Sequence, residues 1–340
     1  MITLEAIRES NSRIATSLPS RLVAVFVGAT SGIGETTLRN FVRLTHQPCI
    51  YFLGRRETEG ARVRAELEKI NPKGEYHYLK YDVSLLKNVD EACRHIRSRE
   101  SAINLLFLTS GTLVTGIQTD EGLSYSTALA YHCRTRFIIN LLPQLRQASG
   151  LRRVITVLAG GKEGKIFTDD FQGNNLSVLS VRGHITAMIT LALHTLAKQA
   201  PEVSFIHVYP GFVKTNISRE LKGIGPAVLN FLFKPILALL YIPIEETGER
   251  QAYFATSSRF PPADDKRRDA DGVALGGGIE VAVGIDGKVG GGVYSIDYEA
   301  EGTIQRVQEL IRGYIKDNTV DMVWKHTEEE YMRITGTVSL

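Results

Sequence analysis

The chain has 340 residues, 43% hydrophobic and 23% charged, with 40 Lys and Arg against 37 Asp and Glu for a formal charge of +3. That balance excludes a disordered, collagen-like or disulfide-scaffold protein, and mixed charges with no basic block beyond Lys266-Arg267-Arg268 exclude a nucleic-acid footprint. Cys49, Cys93 and Cys133 show neither a Cys-x-x-Cys pair nor metal-ligand spacing, so they read as buried thiols in a reducing compartment, with no metal.

Residues 1–20 read as an N-terminal extension. They lack a cationic start followed by an apolar run, so no signal peptide is expected and the cytoplasm is the default location. Residues 22–27 form a short β-branched run, followed at once by Gly28-Ala29-Thr30-Ser31-Gly32-Ile33-Gly34-Glu35. This predicts strand, glycine turn and helix: Gly28 for the turn, Gly32 for close approach of a pyrophosphate, and Gly34 for a helix lying near the strand. The amides of Thr30, Ser31 and Ile33 then face an anion at the helix start. Alone, such a loop also serves as a plain turn. Further apolar runs at 49–53, 76–81, 103–108, 154–158 and 203–209 alternate with helix-like stretches, among them Val181, Ile185, Met188, Ile189, Ala192 and Leu196 on one helical face. That alternation predicts an α/β fold with a doubly wound parallel sheet.

The spacing Gly-x-x-x-Gly-x-Gly resembles the short-chain dehydrogenase/reductases. Two later segments agree: Tyr81-Asp82-Val83 is similar to the family's adenine-contacting Asp-Val, and Pro210-Gly211-Phe212-Val213-Lys214-Thr215 to its Pro-Gly-x-Val-x-Thr segment near the nicotinamide. The resemblance covers roughly residues 20 to 220 and implies a cofactor site at Gly28, Thr30, Ser31, Gly32, Ile33, Gly34, Asp82, Val83, Gly111, Val213 and Thr215. At a finer level, Ala159-Gly-Gly-Lys-Glu-Gly and Val208-Tyr-Pro-Gly resemble a fungal branch whose members are often tailoring enzymes of secondary metabolism. The second run ends Gly54-Arg55-Arg56 with no carboxylate in the turn. An acid there would select NAD, whereas guanidinium groups grip a 2′-phosphate, so Arg55 and Arg56 point to NADP(H).

The family's catalytic set is not matched. Its Tyr and Lys positions fall on Val178 and Arg182, its Ser on Ala159, its Asn among Ala130, Tyr131 and His132, and its Asn-Asn-Ala-Gly turn on Leu108-Thr109-Ser110-Gly111. Guanidinium cannot shuttle protons at neutral pH, so Arg182 is left a cationic role and the proton passes to Tyr131 or His132, with His184 and Tyr209 as alternatives. Three readings follow: an NADP(H)-dependent oxidoreductase with a relocated acid, a non-redox isomerase or cyclase, or a nucleotide-binding pseudoenzyme.

Residues 223–244 are apolar with one charge, Lys234, and three prolines. Lys and Pro near the middle oppose a membrane span. A substrate lid for a hydrophobic small molecule, a packed helix, or a shallow membrane-surface contact all fit. Residues 259–302 change to a polar stretch and then a glycine-rich one, expected as a loop followed by a hairpin around Asp286-Gly287 or a last edge strand at 292–296. Ile304, Val307, Leu310, Ile311 and Ile315 predict a helix packing on the core or on a second subunit of a homodimer. The expected organisation is one domain over 21–340, with 21–220 as dinucleotide-binding core and 221–340 as lid, glycine-rich edge and C-terminal helices.

Overall fold

The computed structural model describes residues 1–215, 241–264 and 272–340. Most of the apolar stretch 223–244 and part of the polar stretch after residue 259 lie outside the described residues.

Seven strands form one sheet: β1 (Val23–Val27), β2 (Cys49–Gly54), β3 (Glu75–Lys80), β4 (Leu105–Leu108), β5 (Arg153–Val157), β6 (Ser204–Val208) and β9 (Val293–Ile296). Their order is β3-β2-β1-β4-β5-β6-β9 and every pairing is parallel, with β1 in register Val23↔Cys49 against β2 and Ala24↔Leu105 against β4. A separate parallel pair joins β7 (Phe212–Val213) to β8 (Tyr241–Ile242).

Alternation along each strand divides the core between the two faces. Val23, Val25 and Val27, with Tyr51 and Leu53, face one layer with α5 (Leu86–Arg97), α7 (Cys133–Gln147) and α8 (Val178–Gln199). Ala24 and Phe26, with Ile50 and Phe52, face the other, with α1 (Leu4–Ser12), α3 (Gly32–Leu44), α4 (Glu57–Ile70) and the helix Ile244–Thr256. Strands covered on both sides carry no polar alternation, which is why they read in the sequence as continuous apolar runs. The helices Gln305–Lys316 and Thr319–Thr335 pack on the α7–α8 layer, through Val307, Ile311, Val320 and Val323.

The doubly wound parallel sheet is the architecture expected. The glycine-rich segment supplies both alternatives weighed for it: an antiparallel bridge Val283↔Val289 around the Asp286-Gly287 turn, and the edge strand β9. No helix among the described residues is long and apolar enough to cross a membrane.

Candidate active site

The chain leaves β1 toward β2 and β3, then returns to run outward through β4, β5 and β6, so a crevice opens at the carboxyl ends of β1 and β4. A cleft of about 640 Å³ occupies it. Its walls include Gly28, Thr30, Ser31, Gly32, Ile33 and Gly34 from the glycine loop, Arg55 and Arg56 after β2, Asp82 and Val83 after β3, Gly111 after β4, and Thr215. Val213 lies outside that lining, in the short strand β7.

Local geometry explains the loop. Gly28 turns at φ +82°, a conformation costly for any residue with a Cβ. Gly34 sits so close to β1 that a Cβ would stand 2.5 Å from the Gly28 carbonyl oxygen and 2.6 Å from Thr109 Oγ1. Helix α3 starts at Gly32 with no side-chain cap from Ser31, leaving its first amides for an anion. Arg62 braces the loop from α4, donating to the Thr30 carbonyl at 3.2 Å and to Glu35 at 2.8 Å. At the far wall, Asp82 Oδ1 accepts from Ser84 N and Oγ at 3.0 and 2.8 Å, which fixes the turn after β3. Glycines that would clash if substituted, open helix amides and a cleft of this size suit a nicotinamide dinucleotide.

The candidate acids stand elsewhere: neither Tyr131 nor His132, expected to handle the proton, is part of the cleft lining. Ala128–His132 forms a π-helical turn between α6 (Tyr125–Thr127) and α7, and its extra residue in the turn shifts these side chains from the cleft toward the C-terminal helix. Tyr131 is fully buried, its hydroxyl 2.6 Å from Thr327 Oγ1, and burial raises its pKa well above the ordinary phenol value. His132 is also fully buried beside Gln172 and His326, and burial pushes it down to about 3. His184 has both ring nitrogens engaged, accepting from Phe167 N at 3.1 Å and bonded to the Phe171 carbonyl at 3.1 Å. Arg182 is exposed and outside the cleft lining; its guanidinium lies 5.7 Å from the Tyr209 ring, which Lys162 also approaches at 5.4 Å.

Ala159, at the family's Ser position, is buried and offers only its amide, which donates to His207 Nε2 at 3.3 Å. Lys162 and Glu163 part company: Lys162 is exposed, whereas Glu163 is buried.

One charged side chain of the cleft lining escaped the sequence reading. Arg134, on the first turn of α7, lines the cleft between the ends of β4 and β5 and is 1% exposed. Arg134 and Arg136 both precede an apolar helical run, and the π-turn hid which of the two meets the cleft.

The fold and cleft define a dinucleotide-binding α/β protein with its site at a topological switch point. A family model described as short chain dehydrogenase matches residues 22–166. The chain is similar to oxidoreductase andH of Emericella variicolor, at 37% identity over 99% of each chain. It is similar also to oxidoreductase AN1596 of Emericella nidulans, at 38% identity over 96% of this chain and 97% of that one. Among solved structures it matches an alcohol dehydrogenase from the archaeon Thermococcus sibiricus complexed with 5-hydroxy-NADP, with TM-score 0.54, 18% identity and coverage of 75% of this chain and 95% of that one. It also matches L-sorbose reductase from Gluconobacter frateurii complexed with NADPH and L-sorbose, with TM-score 0.52, 16% identity and coverage of 76% and 95%. The chain belongs to the short-chain dehydrogenase/reductase family and is an oxidoreductase of that type.

Proposed function

We propose that the protein is an NADP(H)-dependent oxidoreductase that interconverts a carbonyl and an alcohol on a hydrophobic secondary metabolite. The observation that carries the cofactor reading is the end of β2: Arg55 and Arg56 line the cleft there, and Asp82, in the turn after β3, is the only carboxylate in its described lining. Arg55 is oriented by a hydrogen bond from Nη1 to the Tyr125 hydroxyl at 2.9 Å. A planar cation held this way fits a 2′-phosphate, and an NAD-selecting acid is missing from the turn.

The substrate reading is supported by apolar side chains left in water. Leu113 and Ile117 after β4, Leu179 at the start of α8 and Phe212 after β6 are all exposed, on or beyond connections that leave the sheet at its carboxyl end. Exposed apolar side chains of this kind offer area to an apolar ligand. When bound, the nicotinamide supplies or accepts the hydride. The protein's share is to hold the reactants together in a site that excludes water.

Titration of the purified protein with NADPH and NADH, followed by nicotinamide fluorescence, tests the reading. NADPH is expected to bind more tightly, and Arg55→Asp to weaken NADPH binding by at least about tenfold more than NADH binding, the loss of one charged phosphate contact. Equal loss of both would remove the cofactor assignment. A product differing from substrate by two hydrogens is the expected outcome of turnover; an unchanged mass would mean rearrangement.

A further inference from the structure

In the sheet order the cleft runs from Arg55 beyond β2, across the glycine loop after β1, to Ser110 and Gly111 after β4 and to Val157 and Leu158 at β5. A dinucleotide held by its 2′-phosphate at Arg55 and its pyrophosphate at the loop would bring its reactive ring and the substrate to the β4–β5 end. Arg134 forms the wall there.

Its guanidinium holds the two strand ends together. Nε donates to the Ser110 carbonyl at 3.2 Å and Nη2 donates to the same oxygen; Nη1 donates to the Val157 carbonyl at 3.0 Å and to Thr156 Oγ1. These bonds use four of the five N–H groups a guanidinium carries. The fifth, on Nη2, meets no acceptor among the described residues, and no carboxylate there pairs with the charge. Beside Nη2 the wall is open: a Cβ built on Gly111 would stand 3.8 Å from that nitrogen and meet no other atom within 4 Å.

Resting on the carbonyl–alcohol reading above, we propose that Arg134 is a catalytic residue whose remaining Nη2–H binds the substrate oxygen and stabilises it as negative charge develops. It takes the electrophilic duty that Ala159 cannot perform for want of a hydroxyl. In the reducing direction the carbonyl carbon gains a hydride from the dihydronicotinamide, which is oxidised. The C=O π pair moves to oxygen, and the resulting alkoxide, hydrogen-bonded to Arg134, takes a proton from water. Guanidinium keeps its own proton throughout. Burial holds Arg134 down at about 10, still cationic at neutral pH, and a fixed cation in a dry wall acts on a developing oxyanion far more strongly than one in water.

The test reads ternary binding rather than turnover. Octanoate places a fixed negative charge where the alkoxide would form, and octanamide has the same length without the charge. With NADP⁺ bound, the unmutated protein is expected to bind octanoate at least tenfold more tightly than octanamide, by calorimetry. Arg134→Gln is expected to abolish that preference while NADPH affinity changes less than threefold. The proposal is overturned by equal binding of the two probes to the unmutated protein, a result that needs no variant. It is overturned equally by a preference that survives in Arg134→Gln, or by loss of NADPH binding in a folded Arg134→Gln, which would make Arg134 a cofactor ligand. If Arg134→Gln does not fold, Arg134→Met, an uncharged side chain of similar length, is read in the same way. Failure of the unmutated protein to bind NADPH would overturn the cofactor reading first, and with it this proposal.

Discussion

At Glu163 a carboxyl group is buried with no cation beside it. Oε1 accepts from Thr190 Oγ1 at 2.7 Å and Ser295 Oγ at 2.5 Å; Thr190 in turn lies 2.9 Å from His207 Nδ1, and Gly161 N donates to Ser295 Oγ at 2.7 Å. Since Ala159 N donates to His207 Nε2, the imidazole is neutral with its hydrogen on Nδ1, and every donor in the chain runs toward Glu163. Burial raises the pKa of Glu163 and pushes His207 down to about 3, as it does His132. A buried neutral histidine picks up a proton on unfolding below its ordinary value, so the unfolded chain binds more protons and stability falls as pH falls. Each of His132 and His207 is expected to cost about 1.4 kcal/mol per pH unit below about pH 6. Urea denaturation at pH 7, 6 and 5 measures this. His132→Gln should flatten the slope by one histidine's share, and an unchanged slope would show that His132 is not the source.

Among the elements, the strands and the glycine loop were legible in the sequence because their signals are local: β-branched runs of fixed length, and glycines where a Cβ would strike backbone. The residues that line the cleft at Gly28, Arg55, Asp82 and Thr215 could be named for the same reason, since each follows a strand end at short range. Helix α7 was illegible in one respect. A π-turn leaves no mark in apolar periodicity, yet it decides that Arg134 meets the cleft while Tyr131 meets Thr327. The partners of Tyr131 and Tyr331 come from a helix nearly two hundred positions away, beyond any spacing rule; Tyr331 donates to the His132 carbonyl at 3.0 Å. Thr327→Val strands a buried phenol and should cost about 1–3 kcal/mol, whereas Tyr131→Phe with Thr327→Val should recover part of that loss. Chemical denaturation of the single and double variants checks it, and NADPH affinity should stay unchanged in all of them.

For the molecule as a whole, the charge pair Arg136–Asp90 ties the C-terminal segment to the helical layer. Arg136 Nε and Nη2 meet the two Asp90 oxygens at 2.6 and 2.7 Å, and Nη1 donates to the carbonyls of Thr337 and Val338 at 3.0 and 2.5 Å. Both side chains are buried, so Asp90→Ala leaves an uncompensated cation and should destabilise the fold by about 3–5 kcal/mol. Hydrogen exchange should show residues 335–340 losing protection first; uniform loss across the sheet would mean that the pair does not act through the C-terminal segment.

The seventh strand bears on how the protein is made. β6 ends at Val208, but β9, which pairs with it from Phe205↔Val293 to Val208↔Ile296, comes from much later in the chain. During synthesis six strands can assemble around the nucleotide cleft while β6 still presents an unsatisfied backbone edge, a template for pairing with another nascent chain. Closing that edge is a long-range step with a high entropic cost, which makes it a slow event in folding. The nucleotide cleft, lined mainly from β1, β2, β4 and their connections, can form before that edge is closed. A dinucleotide bound at that stage would stabilise the partial sheet while its last strand is still being made.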